Sequence, residues 1–241
     1  LAPEAERVRA ITFDYGQTIA ELDHDFLAQR VAEFGGTQDP RAAERANTVA
    51  WQAYGELKSS GHAQAWRQMM RQFLIAGGAA PAHGAPDPQY AARVADWLWE
   101  QQPTRNLWRK PIPGMFELVE SLAARGVPVG IISNSEGYLA ELLAELDWSA
   151  PFRVVADSGR LGFEKPGARI FEYTADELGV SVSETLHVGD AWEADVVGAT
   201  AAGARAVWFA ENDGRALPAR VSVCQDAAGL SAILTALGIP L

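Results

Sequence analysis

From residue 113 onward, short apolar runs alternate with stretches of helical periodicity. Residues 127–132, 153–156, 186–188, 204–209 and 221–223 read as strands, and 114–125, 138–146, 168–178, 193–202 and 229–237 as helices. Gly126 and Gly179 stand where two of these helices must stop. Continuous apolar strands separated by helices require a parallel sheet covered on both faces, joined by right-handed crossovers. Residues 8–13 form one more such strand, so the chain's start belongs to the same sheet and the segment between is an insertion. The expected fold is α/β: a Rossmann-like parallel sheet core with helices on both faces, plus an inserted α-helical domain.

The insertion has no strand-like alternation. Residues 25–34, 40–58, 63–76 and 88–101 carry apolar side chains at helical spacing, as with Val49, Ala53 and Leu57. Gly35-Gly36, Ser59-Ser60-Gly61 and residues 77–88 are turn-rich breaks between them. The expected division is 1–20 with 110–241 for the sheet domain and 21–109 for a helical bundle. Hinges are expected near 18–24 and 103–112, where Pro103, Pro111 and Pro113 exclude a helix interior. The aromatic residues Trp51, Tyr54, Trp66, Trp97, Trp99 and Trp108 are expected to fill the bundle core. Arg67 and Arg71, one helical turn apart, are expected on its surface.

A net charge of −11 argues against binding to a nucleic-acid backbone, which needs a basic face. It leaves small anionic substrates open, because a local pocket can be positive on an acidic protein. No apolar run approaches the roughly 20 residues a membrane helix needs. The first residues lack the basic-then-apolar pattern of a secretory leader. Cys224 is the only cysteine, which fits a reducing compartment and reads as a small apolar residue near a strand end. A cytoplasmic monomer or homodimer is expected.

In open parallel sheets, ligands sit beyond the carboxyl ends of the strands. The informative polar residues fall there. Asp14 follows the first strand, Ser133-Asn134-Ser135 the second, and Gly189-Asp190 the strand containing His187 and Val188. Lys165 lies in the loop Gly162-Phe163-Glu164-Lys165-Pro166, and the only other lysines are Lys58 and Lys110.

Taken in order, Asp14-Tyr15-Gly16-Gln17-Thr18, Ser133-Asn134, Lys165-Pro166 and Val188-Gly189-Asp190 with Asp195 resemble the four motifs of the haloacid dehalogenase-like (HAD) hydrolase superfamily. The inserted helices resemble the helical cap of its first subfamily. The resemblance implies a hydrolase in which Asp14 attacks an electrophilic phosphorus or carbon. Lys165 would neutralise crowded charge, and Ser133 and Asn134 would hydrogen-bond substrate oxygens. Mg2+ would be held by Asp14, Asp190 and the Gly16 carbonyl, with Asp195 as a further acid supporting the metal or Lys165. The expected substrate is a small phosphorylated metabolite, hydrolysed through an aspartyl-phosphate on Asp14.

Gly16 departs from that pattern. Phosphatases of the superfamily carry a second Asp there, which protonates the leaving group and then activates water. Losing a general acid costs about 10²–10⁴-fold, least where the leaving group has a low pKa. Gln17 does not titrate, and Glu21, Asp23 and His24 read as a loop and a helix start. A carbon–halogen hydrolase is the first alternative, since dehalogenases also lack the second Asp; the acidic pair Asp190 and Asp195 argues against it. A catalytically impaired binding protein with the same fold is the second, opposed by the joint presence of Asp14, Lys165 and Asp190. A phosphonate-cleaving variant would need a lysine in the insertion, for which Lys58 is the candidate.

Overall fold

The computed structural model describes residues 7–57 and 61–241. Residues 1–6, where a leader pattern was sought, lie outside the described residues, as do Lys58, Ser59 and Ser60. The chain forms two compact units: the described residues up to Leu22 with Trp108–Leu241, and Asp23–Leu107.

The first unit is built on a six-stranded parallel sheet: β1 (Ala10–Phe13), β2 (Val129–Ser133), β3 (Val154–Asp157), β4 (Thr185–Gly189), β5 (Arg205–Phe209) and β6 (Val221–Cys224). Their spatial order is β6-β5-β4-β1-β2-β3, with helices on both faces. This is the Rossmann-like α/β fold expected from the sequence. Every residue of β1, β2 and β4 is buried, which is why these strands read as largely apolar runs. Ile132, Ala156, Ile170, Phe171, Val196 and Trp208 belong to one core cluster beside the sheet. The chain winds outward from β1 to β2 and β3, then returns to β1's other side with β4. The crevice at that reversal, beyond the carboxyl ends of β1 and β4, is where such folds bind ligands.

Parts of the segments expected as hinges pair as a ribbon. Ala20–Leu22 pairs antiparallel with Trp108–Pro111, tied further by an ion pair of Lys110 with Glu21 at 2.9 Å. Trp108 therefore lies in the sheet unit rather than in the helical bundle where its sequence position put it. Charged residues in so short a strand conceal it from a reading based on apolar alternation.

The second unit contains the helices His24–Glu33, Pro40–Glu44, Asn47–Leu57, His62–Ala76 and Pro88–Gln101. Asp23, Asp39 and Asp87 cap three of them by accepting backbone N–H bonds. Pro40 and Pro88 follow two of these caps, at a position where a missing N–H costs nothing. His62–Ala76 buries Ala65, Trp66, Met69, Met70, Phe73 and Leu74, a stripe at three- and four-residue spacing. The single helix expected from residue 40 breaks at Arg45 and Ala46, where Ala46 N–H bonds back to Ala43. Gly36–Thr37 and Ala80–Pro81 add a two-residue antiparallel ladder too short to read from pattern.

Candidate active site

Asp14 is the first residue after β1 and Asp190 the first after β4, so strand pairing sets their spacing. Asp195 joins them from a π-helical turn, Trp192–Val197, where the sequence suggested ordinary α-helix. Such turns re-aim side chains and recur at functional sites. Here the turn directs Asp195 inward, and Gly189 leaves it room: a Cβ on residue 189 would overlap the Asp195 carboxylate. Ligand atoms of Asp14, Asp190 and Asp195 lie within 4.8 Å of one another.

Lys165 binds this cluster together. Its Nζ donates to Asp14 Oδ1 and to Asp195 Oδ1, each at 2.6 Å. The lysine is 4% exposed, so its charge acts in a medium that screens poorly. Burial alone would lower its pKa, but the two carboxylates more than reverse that and hold it above the usual lysine range. Asn134 fixes the backbone that carries it. The Asn134 amide donates to the Lys165 carbonyl and accepts from its N–H, both at 2.9 Å. Both ends of the Asn134 side chain, expected to meet substrate oxygens, thus hold the Lys165 loop, leaving one amide N–H and one oxygen lone pair uncommitted. Ser133 closes β2 and is 5% exposed.

Asp195 is held by several donors. Its Oδ1 takes bonds from Lys165 and from His187 Nε2 at 3.1 Å, and its Oδ2 takes one from Ala191 N–H at 2.8 Å. Burial favours its neutral form, yet Lys165 and His187 outweigh this and keep its carboxyl well below the usual range. Asp14 has one side-chain donor, Lys165. Burial raises its pKa to about 6, against the pull of Lys165 and with the Asp195 charge adding to the rise. Asp190 is raised too, by burial first and then by the charges of Asp14 and Asp195. Three carboxylates thus face one ammonium, and the two without further side-chain donors carry the excess negative charge. Hard oxygen donors crowded in this way suit Mg2+. Asp14 and Asp190 fit as ligands; Asp195, with both oxygens engaged, fits as the residue that positions Lys165.

Behind the carboxylates lies a relay that the sequence reading missed. His187 is fully buried in β4, directly across from Thr12 in β1. Its Nδ1 is 2.9 Å from Thr12 Oγ1, and burial lowers its pKa. A neutral ring facing the Asp195 carboxylate carries its proton on Nε2, leaving Nδ1 to accept from the Thr12 hydroxyl. Two polar residues inside otherwise apolar strands were the available signal. Trp208 of β5 was also missed; its indole donates to the Asp190 carbonyl at 2.9 Å and fixes the backbone after β4.

Gly16 sits in the turn after β1. Its φ is not positive; the left-handed residue of this turn is Gln17, at φ 56°. The residues considered as substitute acids are engaged in structural contacts. Glu21 pairs with Lys110, Asp23 caps a helix, and His24 is buried with its ring edge-on to Phe73. Arg67 pairs with Asp96 at 3.1 Å, as suits a surface residue. Burial, followed by the Asp226 charge, pushes the Cys224 thiol up to about 11, which fits an inert residue.

The four sequence motifs thus converge on one crevice, and their order along the chain is matched by a known family. The model of haloacid dehalogenase-like hydrolases matches residues 8–203. The chain belongs to this family. As a HAD member it is a hydrolase. It is 26% identical over 208 residues to haloacid dehalogenase-like hydrolase domain-containing protein 3 of Mus musculus, covering 82% of this chain and 80% of the relative. It is 34% identical over 136 residues to a phosphoglycolate phosphatase of Rhodospirillum rubrum, covering 56% of each. Among solved structures it resembles the HAD-hydrolase YfnB of Bacillus subtilis bound to magnesium, with TM-score 0.66 and 20% identity over 95% of this chain and 99% of that one. That last likeness is one of fold. No described helix is long and apolar enough to cross a membrane.

Proposed function

We infer that this HAD hydrolase cleaves phosphomonoesters of small metabolites with Mg2+ as cofactor. The observation that carries the reading is the excess of carboxylates over ammonium at the strand ends, with Asp14 and Asp190 both pushed toward their neutral forms. A carbon–halogen hydrolase working without metal gains nothing from that charge. Phosphatase names among the relatives point the same way.

In this reading the Asp14 carboxylate attacks phosphorus, the ester P–O bond breaks, and an aspartyl-phosphate forms. Water then attacks that phosphorus, releasing phosphate and restoring Asp14. Asp14, Asp190 and the Gly16 carbonyl would hold Mg2+, which would supply positive charge to screen the repulsion between nucleophile and phosphate. Lys165 steadies Asp14 and neutralises charge that builds on the transferred group. Asp195 aims Lys165, and Asn134 fixes its backbone. Ser133 supplies a hydroxyl at the end of β2 for a phosphate oxygen. With no carboxyl at position 16, leaving groups of low pKa are favoured.

A phosphate-release screen across phosphorylated metabolites, with and without Mg2+ and with a halide-release assay on haloacids alongside, tests this. Mg2+-dependent phosphate release, lost in Asp14→Asn, is the expected result. Halide release without metal, and no phosphate release from any ester, would overturn it.

A further inference from the structure

A second cavity opens at the opposite, amino-terminal ends of the strands, with a volume of about 950 Å³. Its lining comes from segments that lead into the strands: Arg7–Arg9 before β1, Arg125–Pro128 before β2, Arg153 before β3 and Gly179–Glu184 before β4. The five residues from Arg9 to Asp14 span about 16 Å of extended chain, so this cavity is separate from the carboxylate cluster.

Its charge runs against that of the whole molecule. The protein carries −11, yet among the described residues four arginines and a single carboxylate, Glu184, line this cavity. Glu184 is already engaged, by Arg9 at 3.0 Å and by the Ser181 N–H and hydroxyl. Arg7, Arg125 and Arg153 form no ion pair among the described residues. Three helices end at the same rim, after Ala124, Leu178 and Ala236. Their carboxyl ends contribute about −0.5 each, which three guanidiniums outweigh. The net positive remainder suits an anionic group such as the phosphate of a monoester. Between the arginines lie Val8, Val127, Leu178, Val180 and Ile239. Apolar side chains beside a few charged groups recur in small-molecule sites, and the volume lies at the upper end of the usual range of about 300–1,000 Å³.

We propose that this cavity is a second, non-catalytic site for an organic phosphate: one dianionic phosphate on the arginines and an apolar or aromatic body on the apolar side chains between them. Nucleoside monophosphates have this chemistry and serve as probes. Calorimetric titration into the metal-free protein should show binding that weakens at least about 10-fold in Arg125→Ala/Arg153→Ala. The parent nucleoside and inorganic phosphate should each bind about 10-fold more weakly than the nucleotide, since each lacks one half of the recognition. Both arginines are exposed, and substitutions at such positions usually leave stability within about 0.5 kcal/mol, which a melting curve checks. Val127→Glu, which puts a carboxylate among these apolar side chains, is an independent variant with the same expected loss. Phosphatase turnover without nucleotide should be unchanged in the arginine variant, so failure here is distinguishable from failure of the phosphatase reading. Equal nucleotide affinity in the wild type and both variants would overturn the proposal. Inorganic phosphate binding as tightly as the nucleotide would overturn it as well, reducing the cavity to an adventitious anion site only.

Discussion

Trp108 packs against Gly16: a Cβ built on residue 16 would stand 3.5 Å from the indole Cδ1 and Nε1. That is ordinary van der Waals contact, and Gly16 lies outside the left-handed region that only glycine enters readily. Neither space nor backbone conformation therefore demands glycine here.

Gly16→Asp should accordingly fold, with a melting temperature within a few degrees of wild type. A carboxyl at this position would supply the missing proton donor beside the crevice. Phosphate release should rise by about 10-fold or more, within reach of the general-acid range of roughly 10²–10⁴. Alkyl phosphates should gain more than aryl phosphates, whose leaving groups need less protonation. A folded variant with no gain on either ester class would show that the proton already comes from elsewhere.

Asp14→Asn should abolish turnover, by more than about 10²-fold, because an amide neither attacks phosphorus nor neutralises a cation. Its fold should survive. Lys165 keeps Asp195 as a partner at 2.6 Å, and Asp190 loses a repelling neighbour. Activity and melting temperature measured on one preparation separate the two effects. More than about a tenth of wild-type activity would remove Asp14 from the nucleophile's role.

Much of this arrangement was legible because strand ends and site coincide. Asp14, Ser133 and Asp190 each close or follow a buried apolar strand, and buried parallel strands announce themselves by composition alone. What the sequence hid depends on which strands lie side by side. Thr12 and His187 are 175 positions apart and meet only through the pairing of β1 with β4. Trp108 meets Gly16 within the unit that contains the ribbon, whose second strand reads as charged connection. Asn134 was expected, by resemblance, to hydrogen-bond substrate oxygens; its tie to Lys165 is a contact across 31 positions that no local pattern encodes.

His187 should matter through Asp195, not through substrate. His187→Leu deletes both bonds of the ring and leaves Thr12 and Asp195 short of a partner, each costing about 1–3 kcal/mol. At about 2–4 °C per kcal/mol for a chain of this size, the melting temperature should drop measurably. The kcat should fall with little change in KM, because Lys165 loses its aim while the substrate contacts remain. His187→Gln, which can still donate to Asp195, should recover part of the kcat. Equal loss in both variants would assign His187 to packing alone.

The carboxylate cluster also makes the metal-free protein sensitive to pH in a direction opposite to ordinary acid denaturation. Asp14 moves from 3.8 to about 6 on folding, and Asp190 shifts the same way. Between those values the native state binds more protons than the unfolded chain, so stability falls as pH rises through the window. Asp195 acts oppositely, but its lowered carboxyl gives stability that is lost only below about 3.8. Mg2+ competes with protons for Asp14 and Asp190 and stabilises the native state by mass action. The Mg2+-induced rise in melting temperature should therefore grow as pH climbs from about 4 to above 6. Other carboxylates titrate nearby, so the informative quantity is the difference between wild type and Asp190→Asn, measured with and without millimolar Mg2+. The variant should show a flatter pH dependence without metal and little or no rise with it. An Mg2+ effect of equal size in Asp190→Asn would place the cation outside this cluster.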